Sequence, residues 1–271
     1  MTAAEAPRSA TPRQVTVQAS VVLAPNPGPM TLDGTNSYLL GSGVGPIVVV
    51  DPGPPDRAHL SALSARPVEL ILITHRHLDH TEAAQEFGRI VGAPVRAFDP
   101  LHCHGGPPLR PGERIDAGGI VIDVLATPGH TVDSVCFHLP GDRPLEDQRS
   151  GSNGSVLTGD TILGRGTTVL APPDGDLGDY LATLQLLIAL GPCHVLPAHG
   201  PDLPDLAAVA AEYLAHRGER LDQIRAALMT LGPDADVSSV TDVVYTDIDP
   251  SVRWAAEQSV GAQLAYLRRV P

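Results

Sequence analysis

The chain has 271 residues, 42% of them hydrophobic and 18% charged, which is enough to bury the core of one large domain, with or without a small appendage. All 18 basic residues are arginines and stand against 31 acidic residues, so the net charge is −13, and a lysine nucleophile, Schiff base or phosphate-binding lysine is excluded. This acidity disfavours binding to a nucleic-acid backbone. No apolar run approaches the roughly 18 residues of a membrane helix, so we expect no membrane association.

The cysteines and the first residues indicate the compartment. Three cysteines cannot form a disulfide framework, and residues 1–14 lack the apolar stretch of a signal peptide. Both observations predict a cytoplasmic protein that begins with a disordered tail at 1–14.

Apolar runs bounded by turn residues predict short strands in the first three quarters of the chain. In order, these strands lie at 15–23, 36–40, 46–50, 68–73, 95–98, 120–125, 134–139, 155–157 and 193–196. Helical spacing predicts helices at 58–65, 81–91, 177–190, 206–231, 237–244 and 251–270. Strands and helices mix up to about residue 205, and only helices follow. We therefore predict an α/β domain over 15–205 and a helical segment over 206–271.

The segment 73–81 reads I-T-H-R-H-L-D-H-T and lies where a predicted buried strand ends and a helix begins. Alternate residues of an extended segment point to the same side, so His75 and His77 can bind one metal ion. Asp79 and His80 lie on the turn beyond and can face a second ion. Nitrogen and oxygen ligands of this kind suit zinc.

Three more candidate ligands lie at predicted strand ends within turns of small residues: His130 in T-P-G-H-T, Asp160 in T-G-D-T and His199 in P-A-H-G. Such turns let a side chain project from a loop that rigid strands hold in place. Five histidines and two aspartates at four strand ends would fill an apolar core poorly, so a metal centre is the favoured interpretation. His59, by contrast, is interpreted as a surface residue of the helix 58–65.

This constellation resembles the metallo-β-lactamase superfamily: its H-x-H-x-D-H signature is residues 75–80, and the later His, Asp and His follow in family order. The resemblance covers about residues 15–205 and implies an α/β fold, the αββα sandwich, with a dinuclear metal site along one edge of its two sheets. It implies that one metal is bound by His75, His77 and His130, that the other is bound by Asp79, His80 and His199, and that Asp160 bridges them. It also implies that Asp51, at the end of the strand 46–50, supports the ligands from behind.

Within the superfamily the sequence is similar to the β-lactamase-like protein 2 family, through N-P-G-P at 26–29, G-T-N-S-Y-L at 34–39 and G-D-T-I-L-G-R-G-T-T at 159–168. This resemblance implies a winged-helix-like C-terminal segment, which fits A-H-R at 215–217, and a homodimer by analogy. Residues in these stretches that are candidates for substrate contact are Asn36, Tyr38, Thr167, Thr168, His216 and Arg217. For Arg217 a solvated helix face is the alternative, and for His216 packing or capping.

The ligand set predicts the reaction class. Two metal ions can hold a hydroxide between them because metal binding lowers the pKa of water from roughly 15.7 to about 7. We therefore predict a metal-dependent hydrolase with two divalent cations, zinc being favoured over manganese or iron. Asp79 would be its catalytic residue, orienting the hydroxide and carrying a proton toward the leaving group.

The ligand set is compatible with more than one class of substrate. The resemblance implies either cleavage of single-stranded RNA or hydrolysis of hydroxyacylglutathione-like thioesters. Antibiotic hydrolysis is disfavoured, because true β-lactamases with two zinc ions do not use an aspartate at the position of Asp160 as the bridge. Six arginines against nine acidic residues from residue 206 onward favour a small ester or thioester over RNA. An iron-dependent redox enzyme and a catalytically silent scaffold are further alternatives.

Overall fold

Two β-sheets lie at the centre of the protein in a computed structural model, which describes residues 11–145, 152–247 and 249–269. Within these ranges the first sheet has six strands, in the order β1 to β6: Arg13–Gln14, Ala19–Leu23, Asn36–Leu40, Ile47–Val50, Val68–Leu72 and Val95–Arg96. The second sheet has five strands, β7 to β11, which are Arg114–Ala117, Ile120–Ala126, Val135–Leu139, Ser155–Gly159 and His194–Pro197. Its spatial order is β11-β10-β9-β8-β7.

Helices cover the outer faces of both sheets and form the C-terminal segment. The helices are α1 (Arg57–Leu63), α2 (Leu78–Thr81), α3 (Ala84–Val91), α4 (Leu177–Leu190), α5 (Leu206–Leu231), α6 (Val237–Val244) and α7 (Arg253–Arg269). Short 3-10 turns lie at Pro100–His102 and Pro250–Val252.

The burial of apolar side chains defines four layers. Between the sheets, Leu40 and Val50 of the first sheet join Phe137 and Leu157 of the second in one core. On the outer face of the first sheet, a second core includes Phe87 of α3. Residues of α4 and α5 pack with β10 and β11 in a third core. The order helix, sheet, sheet, helix confirms the predicted αββα sandwich.

Strand direction brings the candidate ligands to one edge. β4 and β5 are parallel, as are β10 and β11, and β8 runs the same way as β10 because both are antiparallel to β9. Backbone hydrogen bonds join the two sheets at this edge, from Val135 N to Thr74 O at 2.9 Å and from Asn36 N to Ala198 O at 2.7 Å. The loops that follow β5, β8, β10 and β11 therefore meet above a common edge.

The C-terminal segment is helical, as predicted. Helix α5 packs along α4, and residues of α5, α6 and α7 share a small apolar core that includes Ile224, Val240 and Val260. In the described part of this segment we find helices and no β-hairpin, so a winged-helix-like arrangement stays a prediction. None of the helices in the described ranges combines the length and apolarity that crossing a bilayer requires.

The N-terminal region differs from the single strand predicted at 15–23. The chain turns at 15–18, where Val15 N and Thr16 N both donate to Ala19 O, so that β1 pairs back on β2. The last two residues of the predicted tail, Arg13–Gln14, are thus part of a sheet, and residues 1–10 of that tail lie outside the described residues. Residues 146–151, in a polar stretch between β9 and β10, also lie outside them.

Gly129, which precedes the candidate ligand His130, allows a close approach of two backbones. Its φ is +134°, and a Cβ there would lie 2.4 Å from Tyr180 Cα on α4. Gly43 has a similar φ of +129°, but no described heavy atom lies within 4 Å of its Cβ position. The two glycines therefore share a backbone conformation that would strain a residue with a Cβ, and they differ in packing.

We expect Gly43→Ala to lower the free energy of unfolding by about 1–3 kcal/mol through strain alone. Gly129→Ala should lower it by a further ~1–3 kcal/mol, because α4 must move away from the new methyl group. Urea denaturation of the two variants measures the difference, and equal losses would show that the contact with α4 is not tight.

Candidate metal centre

The structure brings all seven candidate ligands together above the common edge of the sheets. His75 and His77 follow β5 in an extended segment, and His77 is the residue before α2. Asp79 and His80 lie on α2. The remaining three follow β8, β10 and β11 and are His130, Asp160 and His199.

The first group of ligand atoms consists of three ring nitrogens. His77 Nδ1 lies 2.9 Å from His75 Nε2 and 3.1 Å from His130 Nε2. One oxygen of Asp160, Oδ2, lies 3.9 Å from His75 Nε2 and 3.6 Å from His130 Nε2. These four ligand atoms lie within 4.8 Å of one another, which is close enough to hold a metal ion.

The second group consists of Asp79, His80 and His199, whose ligand atoms also lie within 4.8 Å of one another. Asp79 Oδ2 is 3.3 Å from His80 Nε2 and 3.1 Å from His199 Nε2. Asp160 faces this group with its other oxygen, Oδ1, at 3.6 Å from His80 Nε2 and 3.3 Å from His199 Nε2. The carboxylate of Asp160 thus lies between the two groups.

The outer nitrogens of four histidines fix their tautomers. The Nδ1 atoms of His130 and His199 lie 3.0 Å and 3.1 Å from the carbonyl oxygens of Val169 and Gly34. A carbonyl oxygen can only accept, so Nδ1 carries the hydrogen and Nε2 keeps its lone pair for a ligand. His80 Nδ1 donates in the same way to Asp51 Oδ2 at 2.8 Å. His75 Nδ1 donates to Thr74 Oγ1 at 3.0 Å, because that hydroxyl gives its own hydrogen to Asp51 Oδ2.

The atoms that face the pocket fit a pair of cations. His80 Nε2, His199 Nε2 and Asp160 Oδ1 are buried and have no hydrogen-bond partner among the residues that the structure describes. Leaving polar atoms buried and unpaired costs about 1–3 kcal/mol each. A set of imidazole nitrogens and carboxylate oxygens is the donor set of zinc and related divalent metals. The residues present therefore fit two divalent ions.

The charges of the two groups differ. Although burial opposes it, the neighbouring carboxylates raise the pKa of His80 well above its usual range and raise the pKa of His199 to about 9. The pKa values of Asp79 and Asp160 are lowered below the usual range, because nearby histidines outweigh burial. In the first group burial dominates and lowers the pKa of His130 to about 4. Protons on His80 and His199 thus balance the buried carboxylates when no metal is bound.

Asp51 contacts Thr74 and His80 from behind the histidine cluster, and that it supports metal ligands stays a prediction. It lies at the end of β4 with φ +50°, a left-handed conformation that aspartate tolerates better than most residues. This turn directs its carboxylate to Thr74 N, at 2.8 Å from Oδ1, and to His80. Thr74 was not singled out in the sequence, although it directly precedes the histidine cluster.

The interpretation of His59 as a surface residue is wrong. Its side chain is 0% exposed, because it lies on the same face of α1 as the buried Leu63, one turn away. Its Nε2 lies 2.9 Å from Ser37 Oγ, which donates to the backbone oxygen of Asp51 at 2.5 Å. His59 and Ser37 therefore hold the strained turn at Asp51, and the i, i+4 spacing to Leu63 is the signal that could have placed it.

Two candidates for substrate contact, Asn36 and Tyr38, are buried on β3. Asn36 Nδ2 donates to the backbone oxygens of Pro197 and Gly200, each at 2.9 Å, and Tyr38 Oη donates to Pro197 O at 2.9 Å. Both thus fix the turn that carries His199. That they also contact substrate stays a prediction.

The other four candidates lie on the loop after Asp160 and on α5. Thr167 is exposed, whereas Thr168 is buried with its Oγ1 2.9 Å from His130 Nδ1. His216 is half-buried, and burial and the neighbouring arginines lower its pKa. Arg217 is 3% exposed and donates to Thr168 O, so the alternative of a solvated helix face is wrong for it.

Comparison with known proteins identifies relatives of this chain. Residues 30–145 match the family model of the metallo-β-lactamase superfamily. A β-lactamase-like protein 2 homologue from Caenorhabditis elegans is 32% identical over 262 residues, which cover 91% of this chain and 82% of the relative.

Solved structures share the fold. A metallo-β-lactamase family protein from Thermus thermophilus has a TM-score of 0.73 and 23% identity, with 93% of each chain covered. A protein solved in a di-iron-bound form has a TM-score of 0.54 and 25% identity, covering 70% of this chain and 96% of its own.

The titration of His59 gives a prediction about stability. Burial lowers the pKa of His59 to about 4, against roughly 6.5 in an unfolded chain. Between these values the unfolded chain binds a proton that the folded chain does not. The stability is therefore complete above pH 6.5 and is lost as the pH falls toward 4.

Without metal, we expect the wild type to lose roughly 2 kcal/mol more than His59→Gln between pH 7.5 and pH 5. The glutamine removes this titration and keeps a polar partner for Ser37, while the other histidines titrate equally in both proteins. Urea denaturation at the two pH values measures the difference. Parallel losses would mean that His59 is protonated in the folded state.

Proposed function

The chain belongs to the metallo-β-lactamase superfamily, and on this basis we propose that it is a hydrolase of small esters or thioesters that uses two divalent metal ions, zinc being favoured. The observation that carries the proposal is the position of Asp160, whose two oxygens face two separate groups of ligand atoms. His75, His77 and His130 would hold one ion, and Asp79, His80 and His199 the other.

Two metal ions would supply a nucleophile at neutral pH by lowering the pKa of water to about 7, and would polarise the acyl oxygen of the substrate. Asp79 is the ligand carboxylate with the greater exposure, 27% against 12% for Asp160. Its Oδ2 also lies 3.5 Å from Thr35 Oγ1. In this proposal Asp79 accepts a hydrogen bond from the attacking water, orients it, and passes a proton to the leaving group.

The charges around the site favour a small acyl substrate over RNA. Of the loops that carry the ligands, two contain an arginine, and both arginines are paired with carboxylates. Arg76 binds Asp174 through both its Nε and an Nη atom, and Arg165 binds Asp33 at 2.7 and 3.0 Å. A phosphate backbone needs cations that can replace its counterions, and these arginines are already neutralised.

Apolar side chains beside the ligands support the same choice. Leu78 lies between the ligands His77 and Asp79 and is 71% exposed, and Val132, two residues after His130, is 57% exposed. Large apolar residues that remain exposed at a site favour an apolar portion of the substrate. We therefore propose an acyl group with an apolar part.

Two alternatives use the same constellation. Cleavage of single-stranded RNA, which the family resemblance of the sequence implies, is one of them, because the ligand set could polarise a phosphoryl oxygen as well as an acyl oxygen. The other is an iron-dependent redox reaction, for which the likeness to a protein solved with two iron ions supports the metal alone. Neither alternative makes use of the exposed Leu78, and RNA binding would need cations other than the paired Arg76 and Arg165.

Metal content tests the foundation of the proposal. We expect about two zinc ions per chain after reconstitution and dialysis, measured by elemental analysis of the protein. His130→Ala should retain about one, since it removes a ligand of the first group and leaves the second group intact. His138→Ala, a histidine of β9 that bonds to Asn153 O, is the control and should retain both. A wild-type protein that binds no zinc, manganese or iron would contradict the proposal.

The activity test compares substrates of different chemistry. Protein loaded with zinc, manganese or iron is assayed on S-lactoylglutathione, a lactone, bis-nitrophenyl phosphate and a short unstructured RNA. We expect turnover of the thioester or lactone, reduced at least ~100-fold in kcat/KM by Asp79→Asn, which keeps the shape but loses the charge. Asp116→Asn, an exposed position on β7, should behave as the wild type. Cleavage of RNA without thioester turnover would reverse the order of the two functions.

A further inference from the structure

Helix α5 contacts the loop that begins at the candidate ligand Asp160 and contacts the candidate ligand His130, here called the 160–170 loop. We propose that Arg217 and Tyr213 of α5 are positioning residues, which hold His130 in place by fixing this loop. The inference rests on the metal site proposed above and adds a role for the C-terminal segment.

Tyr213 and Arg217 lie one turn apart on α5, so they present their polar groups to the same side. Tyr213 Oη accepts from Leu163 N at 3.1 Å and donates to Gly166 O at 2.7 Å. Arg217 Nη2 donates to Thr168 O at 2.6 Å. One face of the helix thus binds the backbone of the loop at three places.

The far end of the loop reaches His130. The Nδ1 atom of His130 lies 2.9 Å from Thr168 Oγ1 and 3.0 Å from Val169 O. Both contacts that orient the His130 ring therefore come from Thr168, which Arg217 binds, and from Val169, which follows it. Because Val169 O can only accept, the loop also sets the tautomer that leaves Nε2 free. A shift of the loop would turn the His130 ring away from His77 and Asp160.

The surroundings of Arg217 support a positioning role. The residue is 3% exposed, and no carboxylate among the described residues lies within ion-pair distance of it. Its guanidinium carbon lies 5.2 Å from the centre of the Tyr180 ring, and Tyr180 Oη donates to Thr161 O at the start of the loop. Burying a cation without an anionic partner costs free energy, and the contacts of Arg217 with the 160–170 loop offset part of this cost.

The loop also contacts the turn of His199. Gly164 N donates to His199 O at 2.8 Å, and a Cβ on Gly164 would lie 2.1 Å from Pro201 O. The first half of the loop is therefore held at Gly164 by the turn of His199, independently of Arg217. We accordingly expect a change at Arg217 to affect the first ligand group more than the second.

The test measures zinc affinity by competition with a chelator, together with the visible absorption of the cobalt-substituted protein. Arg217→Met removes the donor and keeps an unbranched apolar chain, and it should weaken one of the two zinc ions roughly tenfold. Arg217→Lys should recover part of this loss, since it can still donate to Thr168 O. Arg220→Met is the matched control, because Arg220 lies on the same helix but binds Gln223 and stacks on Tyr245, and it should change neither ion.

A double-mutant cycle separates positioning from a general loss of stability. If Arg217 acts through Thr168, the effects of Arg217→Met and Thr168→Val on zinc affinity should not add. Additive effects, equal weakening of both ions, or an unchanged cobalt spectrum would overturn the inference. If Arg217→Met fails to fold, Arg217→Lys takes its place in the cycle with a smaller effect, and Tyr213→Phe, which removes a single hydroxyl, should likewise weaken one zinc ion more than the other. A wild-type protein without metal would instead refute the proposed function.

Discussion

The carboxylates of Asp79 and Asp160 are held 3.1–3.6 Å from the buried Nε2 atoms of His80 and His199, and the rest of the site depends on how their charge is balanced. Burial alone would favour the neutral forms of these groups. Their pKa values are nevertheless low, because His80 and His199 face them and can carry protons. Divalent ions can replace those protons, so metal binding should be coupled to proton release. Protons on the histidines or metal ions would therefore compensate the two carboxylates.

That balance requires the side chains to be placed before any cation arrives, and the fold provides this from several independent elements. The outer nitrogens of the histidines are bound by groups from β4, from the turn before β3 and from the loop after β10, each far away in the chain. Asp51 directs its carboxylate toward the site through a left-handed backbone conformation, and Ser37 and His59 hold this turn in place. Preorganisation of this kind fixes both the tautomer and the direction of each ring. A single displaced support would therefore change the ligand geometry without removing a ligand.

The sequence indicated the seven candidate ligands and one residue behind them, Asp51, but not Ser37, His59 or Thr74, for a physical reason. His75, His77, Asp79 and His80 lie within six residues, and the strand that precedes them determines their direction, so a local pattern identifies them. His130, Asp160 and His199 each end a strand within a turn of small residues, which is again a local signal. The contacts of Arg217 with Thr168 and of Ser37 with His59 span 49 and 22 residues and depend on how the layers pack. His59 is an example: a histidine in a short helix is typical of an exposed position, and only its spacing from the buried Leu63 indicates that it faces the core.

Net charge is a weak guide to the substrate of such a site, since the field at the ligands depends on the nearest charges more than on their sum. Arg76 and Arg165 are the cations closest in sequence to the ligands, and each forms a two-point contact with a carboxylate. A bidentate pair of this type uses the donors that a phosphate would need. Arg217 is buried beneath the 160–170 loop and is occupied by the backbone. Arg217, the arginine that the sequence assigned to substrate contact, is thus engaged with the protein backbone instead, and Leu78 and Val132 are among the side chains left exposed beside the candidate ligands. On the proposed function, an apolar part of the substrate would contact this surface while the metal ions would polarise its acyl oxygen.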